Sequence, residues 1–138
     1  MNWRSFEELF EQEWGHAARE HRPISLLFVT LDNFKAFNDT YGYTTGDECL
    51  QRIAQAVQET FTQPGQVGAR YRGAEFVVLL CGTGAEDAKP IANHLYNAID
   101  ALDFGHLITI GTATAYPKEG TSRAALLTSA KNAALHRK

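Results

Sequence analysis

Cysteine is scarce in this 138-residue chain, with two residues at Cys49 and Cys81. Two such isolated thiols form neither a metal-ligand spacing nor a disulfide framework, and both fall on apolar-rich segments, so both are expected to be buried and reduced. Proline is also scarce, at four residues, and the hydrophobic fraction is 44% against 21% charged. That balance excludes disordered and collagen-like chains. No stretch is long enough to span a bilayer: ISLLFV at 24–29 is far short of the roughly 20 apolar residues a helical span needs. An excess of positive charge is missing too, the formal net charge being -3. Neither DNA nor an anionic membrane is therefore an expected partner. No charged segment followed by an apolar core opens the chain, so a cytoplasmic location is expected.

What is present fits one domain over residues 1–138, large enough to bury about 68 to 70% of its unfolded surface. The chain opens abruptly at MNWRSF and stops within a helical pattern at AALHRK, which suggests a domain excised from a longer multidomain protein. Phe6, Leu9, Phe10 and Ala17 make one helical stripe over 3–21, which Pro23 ends. ISLLFVT then reads as a buried strand, and LDNFKAFNDTYGY as a turn entering a short helix that stops at Gly42. From Asp47, the positions Leu50, Ile53, Ala54, Val57 and Phe61 repeat every three or four residues and predict another helix. VGARY and EFVVLLC flank a tight tip and predict a β-hairpin. Ala88, Ile91, Ala92, Leu95, Ile99 and Leu102 mark a long helix, LITIGTATAY a strand containing a glycine, and Ser122 the cap of a last helix carrying Leu126, Leu127 and Ala130. This order is that of an α+β, ferredoxin-like βαββαβ core, an architecture that hosts many unrelated functions.

Two blocks are more specific. LDNFKAFNDTYGYTTGDECL at 31–50 and ARYRGAEF at 69–76 closely resemble the GGDEF domains of diguanylate cyclases, and NWRSF at 2–6 and ITIGTA at 108–113 are similar to further family segments. The resemblance covers essentially the whole chain. It implies a nucleotide-cyclase palm whose central, mostly antiparallel, five-stranded sheet is flanked by helices. It also implies the family reaction, in which two facing domains join two GTP molecules into cyclic di-GMP with the help of divalent cations. Such cations offset triphosphate charge and favour carboxylate oxygens as ligands.

Against that pattern, Thr30 stands where the resemblance expects a metal-binding Asp, leaving Asp32 as the only acid of the D-x-D pair. Alternation points Thr30 and Asp32 the same way, but they lie roughly 6.5 to 7 Å apart along the strand. RGAEF replaces G-G-D/E-E-F, so Ala74 removes a second carboxylate, Arg72 replaces a glycine, and Glu75 remains. Metal is therefore not expected here, Asp32 and Glu75 being weak candidates, and no catalytic residue is expected beyond a weak Glu75. Arg72 reads either as a solvated turn residue or as a phosphate contact that supplies positive charge in place of metal.

The resemblance assigns guanine recognition to Asn38 and Asp47. A carboxylate can accept from guanine N1–H and N2–H, and an amide can both donate and accept. It assigns phosphate contacts to Lys35, to the backbone of Asn33 and Phe34 at a helix N-terminus, and to Lys138. Tyr43 replaces a family histidine, and QPGQ at 63–66 stands where an R-x-x-D product-inhibition site would be. His16, His21, His94, His106 and His136 share no ligand spacing and are expected at the surface.

Together these features point to a degenerate GGDEF domain, inactive as a cyclase, that acts as a regulatory or interaction module in cyclic di-GMP signalling and binds GTP or another guanine nucleotide. Its expected partners are a second copy or other signalling domains. The alternatives are an active diguanylate cyclase, in which Asp32 and Glu75 rebuild a site for Mg2+ or Mn2+, and a ligand-free dimerisation domain.

Overall fold

The computed structural model describes residues 1–118 and 121–136. Along the chain run α1 (Trp3–Glu20), β1 (Ile24–Leu31), α2 (Phe34–Tyr41), α3 (Tyr43–Thr60), β2 (Gln66–Arg70), β3 (Glu75–Cys81), α4 (Ala85–Asp100), a 3-10 turn (Gly105–Leu107), β4 (Ile108–Ala115) and α5 (Arg123–His136). The sheet order is β2-β3-β1-β4, and every pairing is antiparallel.

All eight residues of β1 are buried. A central strand covered on both faces needs a continuous apolar run rather than an alternating one, which is why ISLLFVT carries so little polar character. Leu27, Val29 and Leu31 pack with Ile53 and Val57 of α3 and Leu95 and Ile99 of α4. Leu26 and Phe28 face the other way, onto Phe6 and Phe10 of α1 and Leu126 and Ala130 of α5. Each of these large side chains contributes about 1.5–3 kcal/mol on burial. The helical stripes predicted from spacing are the faces that meet the sheet.

The α+β, ferredoxin-like order holds, but the expected fifth strand does not: among the described residues the sheet has four. Only four segments carry a strand pattern, and β4 ends at Ala115, just ahead of Pro117, which has no N–H to give to a ladder. A second correction concerns α3, which begins at Tyr43 rather than Asp47. Gly42 joins α2 directly to α3. The glycine in β4, Gly111, has a packing reason, since a Cβ there would run into the α5 backbone at Ala130 and Ala134. Its absence lets α5 lie directly on the strand.

Cys49 is buried and Cys81 half-buried, and neither is in a disulfide. All five histidines are exposed.

Candidate nucleotide site

The antiparallel register brings the chemistry-bearing residues to one end of the sheet. Thr30 lies opposite Glu75 on one side and opposite Thr109 on the other. Residues directly opposite share a face, and alternation from Phe28 puts Thr30 on the side of α1 and α5. The hairpin tip is fastened to this end: the Leu31 N–H donates to the Ala74 carbonyl at 3.2 Å, and within the tip the Glu75 N–H donates to the Arg72 carbonyl at 2.7 Å. Asp32 follows the strand, with its N–H donating to the Leu107 carbonyl at 2.6 Å. Its Oδ2 accepts the Thr109 hydroxyl at 2.5 Å.

Thr30 and Ala74 offer no carboxylate, and the Asp32 carboxylate is turned onto Thr109. Among the described residues, no group of three His, Cys, Asp or Glu side chains comes together in a way that could hold a metal ion.

The other half of the site is built by α2 and α3. Asn33 takes a left-handed conformation, φ 54° and ψ 36°, and turns the chain off β1 into α2 without a side-chain cap. The leading N–H groups of α2 are left to an outside acceptor, with Lys35 exposed beside them. One turn on, Asn38 is half-buried, and its Oδ1 is buried with no hydrogen-bond partner among the described residues. A buried amide oxygen without a donor costs about 1–3 kcal/mol. It lies against Gly46 of α3, where a Cβ would collide with it. Asp47, the next residue, is exposed in the second turn of α3, not at its opening. The structure thus sets Asn38 beside the turn that carries Asp47, next to the end of β1 and the start of α2. The exposed Tyr43 is the first residue of α3.

Arg72 is exposed, and its guanidinium lies over the Tyr71 ring, 4.9 Å from the centroid. Tyr71 in turn packs edge-on against Trp3 at 4.5 Å and against Phe28 at 5.9 Å. Arg70 steadies the tip by donating its Nε–H to the Gly73 carbonyl at 2.8 Å. Lys138, the remaining phosphate candidate, lies outside the described residues.

Three residues were missed by sequence reasoning. Thr109, 77 positions from Asp32, is visible only once β4 is placed beside β1. Gly46 stood just ahead of the helix predicted from Asp47, where a glycine reads as a breaker rather than as a contact for Asn38. Tyr71 sat inside the hairpin pattern, and nothing local distinguished it from a strand residue.

The family described as "Diguanylate cyclase, GGDEF domain" matches residues 1–138. The chain belongs to the GGDEF family. Among curated relatives, it is 32% identical over 100 residues to the diguanylate cyclase DosC of Escherichia coli K12, a match covering 72% of this chain and 22% of DosC. It is 34% identical over 103 residues to the diguanylate cyclase DgcP of Pseudomonas aeruginosa, covering 75% of this chain and 15% of DgcP. The matches thus span about a fifth of those proteins' lengths. Among solved structures, the GGDEF domain of YfiN (TpbB) from Pseudomonas aeruginosa is 30% identical with a TM-score of 0.85, covering 99% of this chain and 88% of that one. The active GGEEF domain of a Vibrio cholerae diguanylate cyclase, at 23% identity, shows the same fold with a TM-score of 0.87, over 99% of this chain and 89% of its own. This GGDEF domain therefore sits among cyclic di-GMP signalling proteins, and its homologues are diguanylate cyclases.

Proposed function

We propose that this GGDEF domain is a degenerate member that binds a guanine nucleotide without metal and does not make cyclic di-GMP, serving as a regulatory module. The observation that carries this reading is the end of β1. Where the cyclase pattern would supply acids, Thr30 and Ala74 supply none, and the remaining Asp32 carboxylate accepts from Thr109. Divalent cations at a triphosphate neutralise developing charge and steady the attacking and leaving oxygens, a contribution of several kcal/mol. Glu75 cannot assemble an oxygen-ligand set alone.

Nucleotide binding makes smaller demands. The Asn38 carboxamide pairs with the guanine edge, and Asp47 accepts from its N–H groups. Lys35 and the uncapped N-terminus of α2, from Asn33 and Phe34 onward, take the phosphate.

The test is a cyclase assay on the natural sequence and on Thr30→Asp/Ala74→Glu, with GTP and either Mg2+ or Mn2+, beside a GTP titration with and without the metal. The natural chain is expected to bind GTP equally in EDTA and to form no cyclic di-GMP, and the double variant to gain metal-dependent GTP binding. Robust turnover by the natural chain would defeat this reading in favour of a rebuilt site at Asp32 and Glu75. No nucleotide binding at all would favour a ligand-free module.

A further inference from the structure

Beyond the guanine cradle, α1, α5 and the hairpin tip enclose a crevice of about 580 Å3. Its size lies within the range of about 300–1,000 Å3 usual for small-ligand pockets. One wall is aromatic: Trp3, Phe10 and Trp14 fall on a single stripe of α1, and Tyr71 closes the end. Trp3 meets Tyr71 edge-on at 4.5 Å, and Trp14 meets Phe10 at 6.0 Å with the planes at 80°. Trp3, Trp14 and Tyr71 are only half-buried, so ring surface is left facing the space.

The charges on the walls are unequal. Of the described residues that line the crevice, two are arginines, Arg72 and Arg123, and one is an acid, Glu7. Among the described residues, neither arginine is in an ion pair. Each instead lies over a wall ring, Arg72 over Tyr71 at 4.9 Å and Arg123 over Phe10 at 6.0 Å. Stacking limits a guanidinium's freedom while leaving its in-plane N–H donors unspent. Arg123 also opens α5, where the helix dipole adds to the positive field.

We propose that this crevice is a second ligand site, separate from the guanine cradle, that takes a small planar aromatic anion of nucleoside monophosphate size. The ring packs on the tryptophan and tyrosine faces, and the anionic group is held by the two guanidiniums. Aromatic walls alone would take any flat apolar molecule, and arginines alone would take inorganic phosphate. The combination selects a ligand that carries both features.

The protein supplies its own probe, because Trp3 and Trp14 are its only tryptophans and both line the crevice. AMP is the test ligand, since the adenine edge lacks the N1–H and N2–H donors that the cradle is built to read. AMP is expected to change tryptophan fluorescence saturably. Adenosine and inorganic phosphate should each bind at least tenfold more weakly. Arg123→Ala and Arg123→Gln, both at a half-buried position, should fold and weaken AMP by roughly tenfold or more. Asn38→Ala should leave AMP unaffected. The proposal falls if AMP gives no saturable change, if both Arg123 variants bind AMP as the natural chain does, or if Asn38→Ala abolishes the response. That last result would place the ligand in the cradle. The outcome is independent of whether GTP binds there.

Discussion

Gly46→Ala separates a nucleotide cradle from ordinary helix packing. A methyl at this position would land on Asn38 Oδ1, 2.9 Å from Asn38 Cγ and 3.2 Å from Phe34 Cζ. The Asn38 carboxamide is the free end of a side chain and can rotate away, whereas Phe34 packs against the core and yields by only a few tenths of an ångström. Inside α3, alanine is better than glycine by about 0.5–1 kcal/mol. The crowding costs about 1–3 kcal/mol. The first term offsets part of the second, so stability should fall by no more than about 2.5 kcal/mol and the domain should remain folded. Guanine recognition does not share in that offset. With the Asn38 carboxamide displaced, the nucleotide loses a hydrogen bond worth about 1–3 kcal/mol, a roughly 5- to 150-fold rise in Kd. Calorimetric GTP titration of Gly46→Ala, with Asn38→Ala as comparator and thermal unfolding as a control, reads both effects. Both variants should be folded and both weak. A folded Gly46→Ala protein that binds GTP as tightly as the natural chain would refute the assignment of Asn38 to the guanine edge.

Two further outcomes follow from local structure. Burial, reinforced by the nearby Glu13 carboxylate, pushes the Cys81 thiol up to about 12. The folded protein should therefore resist iodoacetamide at pH 8 at Cys81 under conditions that label the unfolded chain, and rapid labelling of the native state would contradict it. Because the folded value lies above that of an unfolded thiol, near 8.5, the associated stability is complete below that pH and is lost as pH rises toward 12, which urea unfolding at pH 8 and 10 would show. Ser122 accepts from the Ala125 N–H at 3.1 Å and caps α5, so Ser122→Ala should cost about 1 kcal/mol in urea unfolding. An unchanged midpoint would show that α5 needs no cap.

What could be read in the sequence was whatever repeats locally. The stripes of α1, α3 and α4, the buried run of β1 and the hairpin around Arg72 are patterns of period 3.6, continuous burial and paired strands, and each appears where spacing put it. The start of α3 was misread because its first turn, Tyr43 to Gly46, shows no apolar periodicity and sits between two glycines that look like breakers. The site was legible only as a set of residue types. Which of them meet depends on how segments pack: Asp32 is occupied by Thr109 because β4 lies beside β1, and Asn38 fits against Gly46, which has no Cβ to collide with it, because α3 folds back on α2. No short window of sequence contains the first contact, and the second depends on the turn at Gly42 that folds α3 back on α2.

The differences at the end of β1 and in the hairpin share one electrostatic direction. Relative to the cyclase pattern, Thr30 and Ala74 each remove a negative charge. Each change weakens the hold on a divalent cation, and each makes the same region more favourable to a bare phosphate. Metal binding and metal-free anion binding therefore move in opposite directions along one coordinate, and an intermediate chain would do neither well. Reversing Thr30 and Ala74 together should shift the domain back along it, tightening GTP in Mg2+ and loosening GTP in EDTA. Two added carboxylates facing an unshielded triphosphate repel it until a cation sits between them. A double variant that bound GTP equally in both buffers would mean that these positions do not face the nucleotide, and the proposed division between cation-dependent catalysis and cation-free binding would lose its basis.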